Sequence, residues 1–255
     1  MGNIRNLNLL AVAALFFASC AKVGPTGPTG PAGPSYTGNI SGHVSLYDKY
    51  GSKVLTRLDS VTLSLSSSTT TLSGNAPVNA DNSGYFLFKD VKTGSYAIAA
   101  SATGYAATVA GNISFVVGTL NRDIALSAIP DAFITSFTAN AGIAGNYDSL
   151  VLNVSSEIQK RNCIVFVSNT SAVSNASAGH LLTYIISIEP GTTRSTVLIP
   201  ASDLRNAGIA GGSMVYYAAY SYVVNDRSVY EDFATGKYIY NAVNANPIID
   251  SAIAP

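Results

Sequence analysis

From residue 38 onward the chain alternates between apolar and polar positions. Val44 and Leu46 share one parity, as do Val61, Leu63 and Leu65, and again Tyr96, Ile98 and Ala100. Gly, Asn, Asp and Ser punctuate these runs. Successive side chains of a strand point to opposite faces, so a period of two between turn residues predicts half-buried β-strands. No segment between 38 and 130 keeps helical spacing over three turns. The rhythm resumes with Phe133, Thr135 and Phe137, then Leu150, Leu152 and Val154, then Ile164 and Phe166, then Leu198. Met214 to Val224 predicts a long strand, and Lys237 to Val243 predicts the closing one. Ala201 to Gly208 reads as one short helical turn, capped by Ser202 and stopped by Gly208. Pro130 marks a seam. The pattern therefore predicts an all-β chain of two tandem antiparallel β-sandwiches, residues 38–129 and 130–255.

The first 37 residues follow another logic. Leu9 to Ala18 is an uninterrupted apolar run behind a polar start that carries one cation, Arg5. Ten residues of helix rise about 15 Å, half a bilayer, which is short for a span and right for a signal-peptide core. Phe17-Ala18-Ser19-Cys20 resembles the bacterial lipobox, with Phe17 where the usual residue is Leu. That resemblance implies a signal peptide over 1–19, diacylglycerol on the Cys20 sulfur and an acyl chain on its new amino group. Several chains make a stable anchor, because each buried methylene contributes about 0.8 kcal/mol and one chain holds only marginally. Ala21 then implies the outer membrane, on its periplasmic or its outward face. Four Gly-Pro-x triplets follow, Gly24 to Ser35. Proline fixes φ, so these twelve residues extend roughly 37 Å at about 3.1 Å each. A collagen triple helix would use the same beat, but four triplets are few to hold three chains. A collagen-like spacer over 20–37 is the expectation.

Across 38–128 the chain resembles the carboxypeptidase regulatory-like (transthyretin-like) β-sandwich family. The resemblance rests on Gly42-His43-Val44 and on Asp81-Asn82-Ser83-Gly84-Tyr85-Phe86-Leu87-Phe88. It continues through Val91, Gly94-Ser95-Tyr96-Ala97-Ile98 and Gly104-Tyr105. It implies a noncatalytic sandwich with no shared active site, so this likeness leaves function open. Residues 131 to 255 suit an immunoglobulin or fibronectin-III-like domain of about seven strands. They lack the Cys…Trp…Cys signature, as the chain has no tryptophan.

Composition narrows the function classes. Only 11 % of the 255 residues are charged against 47 % apolar, and 14 Lys plus Arg balance 14 Asp plus Glu. A nucleic-acid partner needs a basic face and is not expected. With Cys20 lipidated, Cys163 has no partner and reads as a core thiol in the strand-like run Asn162 to Val167. Catalysis needs a nucleophile with a base, or a ligand cluster. The two histidines, His43 and His180, lie far apart in sequence, and no metal-protease, nucleophile-elbow, Cys-x-x-Cys or phosphate-loop motif occurs. Both histidines read as surface residues. The Asp81–Gly84 stretch reads as a turn, and Arg227 as a partner for Asp226, Glu231 and Asp232. No enzyme, metal or cofactor is expected.

Two patterns remain. Tyr216, Tyr217, Tyr220, Tyr222, Tyr230, Tyr238 and Tyr240 crowd into 25 residues. Tyr216, Tyr220 and Tyr222 share one strand face with Ala218 leaving a gap, either a half-buried face or a surface for glycan or protein. Asp59-Ser60-Val61, Asp148-Ser149-Leu150 and Asp250-Ser251-Ala252 resemble the periplasmic O-glycosylation acceptor of some Gram-negative bacteria, which makes Ser60, Ser149 and Ser251 candidates. The functional expectation is a noncatalytic envelope lipoprotein that binds or scaffolds, with a glycan or an outer-membrane protein as partner. The alternatives are a structural subunit of a pilus or surface assembly and, behind it, a glycan hydrolase with two paired acids.

Overall fold

A computed structural model describes residues 36–67, 76–143, 146–232 and 235–255. The lipobox, Cys20 and the Gly-Pro-x tract lie outside the described residues. Ser35 to Pro255 clusters as one compact unit.

The first sandwich contains β1 (Thr37–Tyr47), β2 (Lys53–Val54), β3 (Thr62–Ser67), β4 (Val78–Asn79), β5 (Tyr85–Lys92), β6 (Gly94–Ser101), β7 (Thr108–Phe115), β8 (Gly118–Asn121) and β9 (Ile124–Ser127). One sheet is organised around β1. Its first half pairs antiparallel with β5, its end pairs antiparallel with β2, and its other edge pairs with β8 and then β9. Those last two pairings are parallel, an exception to the antiparallel rule that holds elsewhere. The opposing sheet runs β4-β3-β6-β7. The alternating residues close inward between the sheets: Val44, Leu46, Val61, Leu63, Leu65, Phe86, Phe88, Tyr96, Ile98 and Ala100 are all buried. Asp81 to Gly84 forms the expected turn. Asp81 Oδ1 accepts from the backbone N–H groups of Ser83 and Tyr85, at 2.8 and 2.9 Å, and Gly84 takes φ 84°. A Cβ there would also sit 2.7 Å from the Val44 carbonyl oxygen.

The second sandwich contains β10 (Ile134–Ile143), β11 (Tyr147–Val154), β12 (Arg161–Ser168), β13 (Leu182–Ile188), β14 (Arg194–Pro200), α1 (Ala201–Asn206), β15 (Met214–Tyr222), β16 (Tyr230–Asp232), β17 (Lys237–Ile239) and β18 (Ile248–Ile253). A sheet β10-β11-β14 faces a sheet β13-β12-β15-β18, and β16-β17 forms a separate hairpin. Three strands against four in this order is the immunoglobulin or fibronectin-III-like arrangement expected. The closing strand is β18. Lys237 to Ile239 instead returns along β16, inside a long excursion between β15 and β18. Helix α1 starts at Pro200, with no side-chain cap. A register shift after Ile134 breaks the alternation at Thr135, so Phe133 and Phe137 both face the core while Thr135 is exposed. Leu198 points outward between half-buried Val197 and buried Ile199.

The central pair β12 and β15 is covered on both sides. Cys163, Val165 and Val167 join Val215, Tyr217 and Ala219 in the sandwich core. Ile164 and Phe166 pack with Ala218, Tyr220 and Tyr222 on the other face, beneath Val173, Tyr240 and Val243. An uninterrupted apolar strand is what burial on both faces requires. Burial pushes the Cys163 thiol up to about 12, so it stays an inert core group.

One acid sits inside this lobe. Asp148 is fully buried. Its Oδ2 accepts from the Tyr217 hydroxyl at 2.5 Å and its Oδ1 from the Gly142 N–H at 3.1 Å. Burial first, and then the Asp148 carboxylate, push the Tyr217 hydroxyl far above the ordinary phenol range. Tyr217→Phe removes the main donor to a buried carboxylate, and we expect it to lower stability by about 1.5–3 kcal/mol. Thermal unfolding should register this as a fall in Tm of roughly 2–4 °C per kcal/mol for a chain of this size.

Candidate functional site

The tyrosine face is not a ligand platform. Tyr220 and Tyr222 are each only 5 % exposed, and Tyr216 is half-buried. The segment between β12 and β13 and the excursion between β15 and β18 fold over them. The Tyr240 ring lies 6.0 Å from both Phe166 and Tyr222, edge-on to the latter, and Tyr220 meets Phe166 edge-on at 5.5 Å. His180 is buried too, against the surface expectation. Its ring lies 4.6 Å from Phe166, its Nδ1 is 3.1 Å from the Ser174 carbonyl oxygen, and burial lowers its pKa. The two covering segments are laced together. Asn175 Nδ2 donates to the Tyr240 carbonyl at 3.3 Å, Ser177 Oγ to Asp232 at 2.6 Å, and Lys237 Nζ to the His180 carbonyl at 2.7 Å. The aromatic crowding is thus a second, smaller core.

The candidate glycosylation serines differ in access. Ser60 is exposed on a 3-10 turn, Leu58–Ser60, and its hydroxyl donates to the Arg57 carbonyl at 2.7 Å. Ser251 is half-buried on β18. Ser149 is 2 % exposed beside buried Asp148, so the folded chain offers an enzyme no path to it. Glycopeptide mapping of the native protein should leave Ser149 bare; sugar on that residue would mean transfer before folding.

The excursion that covers the second sandwich also reaches the first. Ser127 and Ser228 are both fully buried. The Ser127 N–H donates to Ser228 Oγ at 2.7 Å, and Ser127 Oγ accepts from the Arg227 N–H at 2.7 Å. Asn241 Nδ2 donates to the Ala107 carbonyl at 2.9 Å, and Ala106, Val223 and Ala242 bury a small apolar contact beside it. Buried polar groups with mutual partners fix one arrangement of the two lobes.

Two clefts open at this junction. One, of about 60 Å³, is lined by Lys49, Tyr50, Asp131, Phe133, Glu157 and Arg161 among others. Its cations are engaged. Lys49 pairs with Asp131, and Arg161 stacks 4.1 Å over the Phe133 ring while donating to Ser155. Arg161 reads as a structural peg, although its buried Nε has no hydrogen-bond partner.

The other is a groove of about 380 Å³, open to solvent, between β7, the β8–β9 strand line and the start of the excursion. Its walls include Thr108, Arg122, Asp123, Arg227 and Tyr230. Gly42 helps to place Arg122, because a Cβ at Gly42 would collide with the Arg122 carbonyl oxygen. The Arg122 N–H donates to the Ser41 carbonyl at 2.8 Å. Arg227 does not join Asp226, Glu231 and Asp232 as expected. Its guanidinium lies 5.6 Å over the Tyr47 ring. Asp123 Oδ1 accepts from the His43 N–H at 2.9 Å, and His43 is exposed as expected. A groove at a junction between lobes is a common place for a ligand. Among the described residues no group of three His, Cys, Asp or Glu is placed to hold a metal ion. No helix among the described residues is long and apolar enough to cross a membrane.

No protein-family model matches the chain, and no curated protein does. Similar solved structures include a candidate carbohydrate-binding protein from Bacteroides uniformis. It shares 12 % identity at a TM-score of 0.30, over 84 % of this chain and 99 % of that one. A DUF3823 family protein from Parabacteroides merdae shares 12 % identity at a TM-score of 0.29, over 84 % and 100 %. Another of that family, from Bacteroides ovatus, shares 14 % at 0.28, over 86 % and 100 %. At these scores the likeness establishes neither a common arrangement of lobes nor a common site.

Asp226 shows what the junction demands. Its Oδ1 accepts from the Ser228 N–H at 2.7 Å, but its Oδ2 is buried without a partner. Burial raises its pKa. The folded state therefore holds this proton more tightly than the unfolded chain does. The resulting stability is present in acid and is lost as pH rises through the raised folded value. Asp226→Asn should raise Tm at pH 7, and the gain should vanish at pH 3. A gain of equal size at both pH values would show that desolvation of the carboxylate is not the cause.

Proposed function

We propose that the chain is a noncatalytic cell-envelope lipoprotein, anchored to the outer membrane through lipid on Cys20 and working as a binding or scaffolding module. The partner is a glycan or an outer-membrane protein, presented to the junction groove. One observation carries the binding reading. The groove takes its walls from both sandwiches, and buried hydrogen bonds at Ser127 and Ser228 hold those walls together. A preformed cleft loses little freedom when it is filled, which favours binding. Glycan hydrolysis would need two carboxyl groups flanking the scissile bond, about 5–10 Å apart. Asp123 is the one acid among the residues lining the groove.

The anchor is supported by the apolar run before Phe17-Ala18-Ser19-Cys20 and by the Gly-Pro-x tract after it. The tract would act as a stiff stalk between the lipid and the folded body. In a Gram-negative host, the native chain should take up labelled palmitate and sediment with the outer membrane. Cys20→Ser should abolish both label and sedimentation. A serine variant that still matures and sediments with the envelope would end the lipoprotein reading.

A further inference from the structure

The groove is lined by two arginines, one from each sandwich. Arg122 comes from the break between β8 and β9, and Arg227 from the excursion of the second sandwich. Both residues are exposed, and neither belongs to an ion pair among the described residues. Arg227 is also pre-positioned. Its backbone N–H is tied to Ser127 Oγ at 2.7 Å and its guanidinium rests over Tyr47. The one acid in the lining, Asp123, already accepts from the His43 backbone. This is the opposite of the neighbouring cleft, where Arg161 is buried and bonded and Lys49 is paired.

The remainder of the lining is one aromatic ring, Tyr230, and a largely aliphatic wall that includes Val109, Ile124 and Val229. Half-buried Tyr230 and the aliphatic wall offer an apolar surface to the C–H face of a sugar ring, while Thr108 is buried. An extended peptide is the other occupant that edge strands invite, since β7 and β8–β9 both lie at sheet edges and such edges accept added strands. Both edges are interrupted. Tyr96 pairs with Ile113 but Ile98 pairs with Ala110, so Gly111 and Asn112 form a bulge, with Asn112 at φ 54°. On the facing edge the ladder stops at Arg122 and Asp123 between β8 and β9. A bulge bends the strand and breaks the run of outward amides that strand addition needs.

We propose that the junction groove binds an anionic saccharide, its carboxylate or sulfate groups held by Arg122 and Arg227 and the C–H face of its sugar body set against Tyr230 and the aliphatic wall. This rests on the reading of the chain as a binding module and names the ligand class of that same groove. Guanidinium groups suit both anions, because their fork of N–H donors matches two oxygens at once.

The test is calorimetric titration of the full chain with tetragalacturonate, a sulfated oligosaccharide of the same length and neutral galactotetraose. At least one acidic ligand is expected to bind, more weakly as salt rises, and the neutral one is not; comparison of the two acidic arms assigns the anion. Arg122→Gln and Arg227→Gln should each weaken binding on the order of tenfold or more, the loss expected for one charge-assisted hydrogen bond. Both residues are exposed, so Tm should stay at the native value. Equal binding of the neutral sugar, or acidic binding untouched by both substitutions, overturns the anionic ligand and leaves the binding module standing. Binding of no sugar overturns it also. A photo-crosslinker at position 230 then separates the two readings: capture of an envelope protein keeps the module with a protein partner, and capture of nothing removes the module as well.

Discussion

The architecture depends on burying both faces of one strand pair. β12 and β15 present Cys163, Val165, Val167, Val215 and Tyr217 to one side and Ile164, Phe166, Ala218, Tyr220 and Tyr222 to the other. A two-layer sandwich covers only the first set. The second set would leave several large apolar side chains in water, at roughly 1.5–3 kcal/mol each. The chain meets this with two long connections instead of short turns. One lies between β12 and β13, and the other between β15 and β18. Their contacts with Phe166 through His180 and Tyr240 make a second core outside the sandwich.

That requirement also explains the junction. The β15–β18 connection lays Tyr240 and Val243 over the outer face, and its remaining length projects toward the first sandwich. Val223, Arg227, Ser228, Asn241 and Ala242 of this segment make contacts with Tyr47, Ala106, Ala107 and Ser127. A segment recruited to cover one lobe thus fastens it to the other. The groove is a consequence of this fastening, since one of its walls is the same segment.

Within the first sandwich, β1 has the corresponding role. It runs through the middle of its sheet and changes neighbours halfway, from β5 and β8 to β2 and β9. Close approach at Gly42 lets the link between β8 and β9 lie against β1, with the Arg122 N–H bonded to the Ser41 carbonyl. The ladder therefore breaks where a charged side chain is held at the surface. Glycine in one strand positions arginine in its neighbour.

The period-two pattern was enough to determine an all-β chain, the strand faces around Val44, Leu63, Phe86, Ile98 and Leu150, and the turn at Asp81 to Gly84. These are local properties: alternation selects a face, and short polar side chains select a turn, whatever the remote contacts. Alternation could not tell which of two hidden faces Tyr216, Tyr220 and Tyr222 would take, because a tyrosine suits a wet face or a covered one. The uninterrupted run from Cys163 to Val167 was the signal that both sides would be covered. Nothing local marked Arg122 and Arg227 as a pair, as 105 residues separate them and only the covering segment brings them to one groove. Burial of Ser149 and His180, the stacking of Arg227 on Tyr47 and the desolvation of Asp226 were likewise decided in three dimensions. Each depends on a neighbour distant in sequence, and no pattern within a strand can specify that.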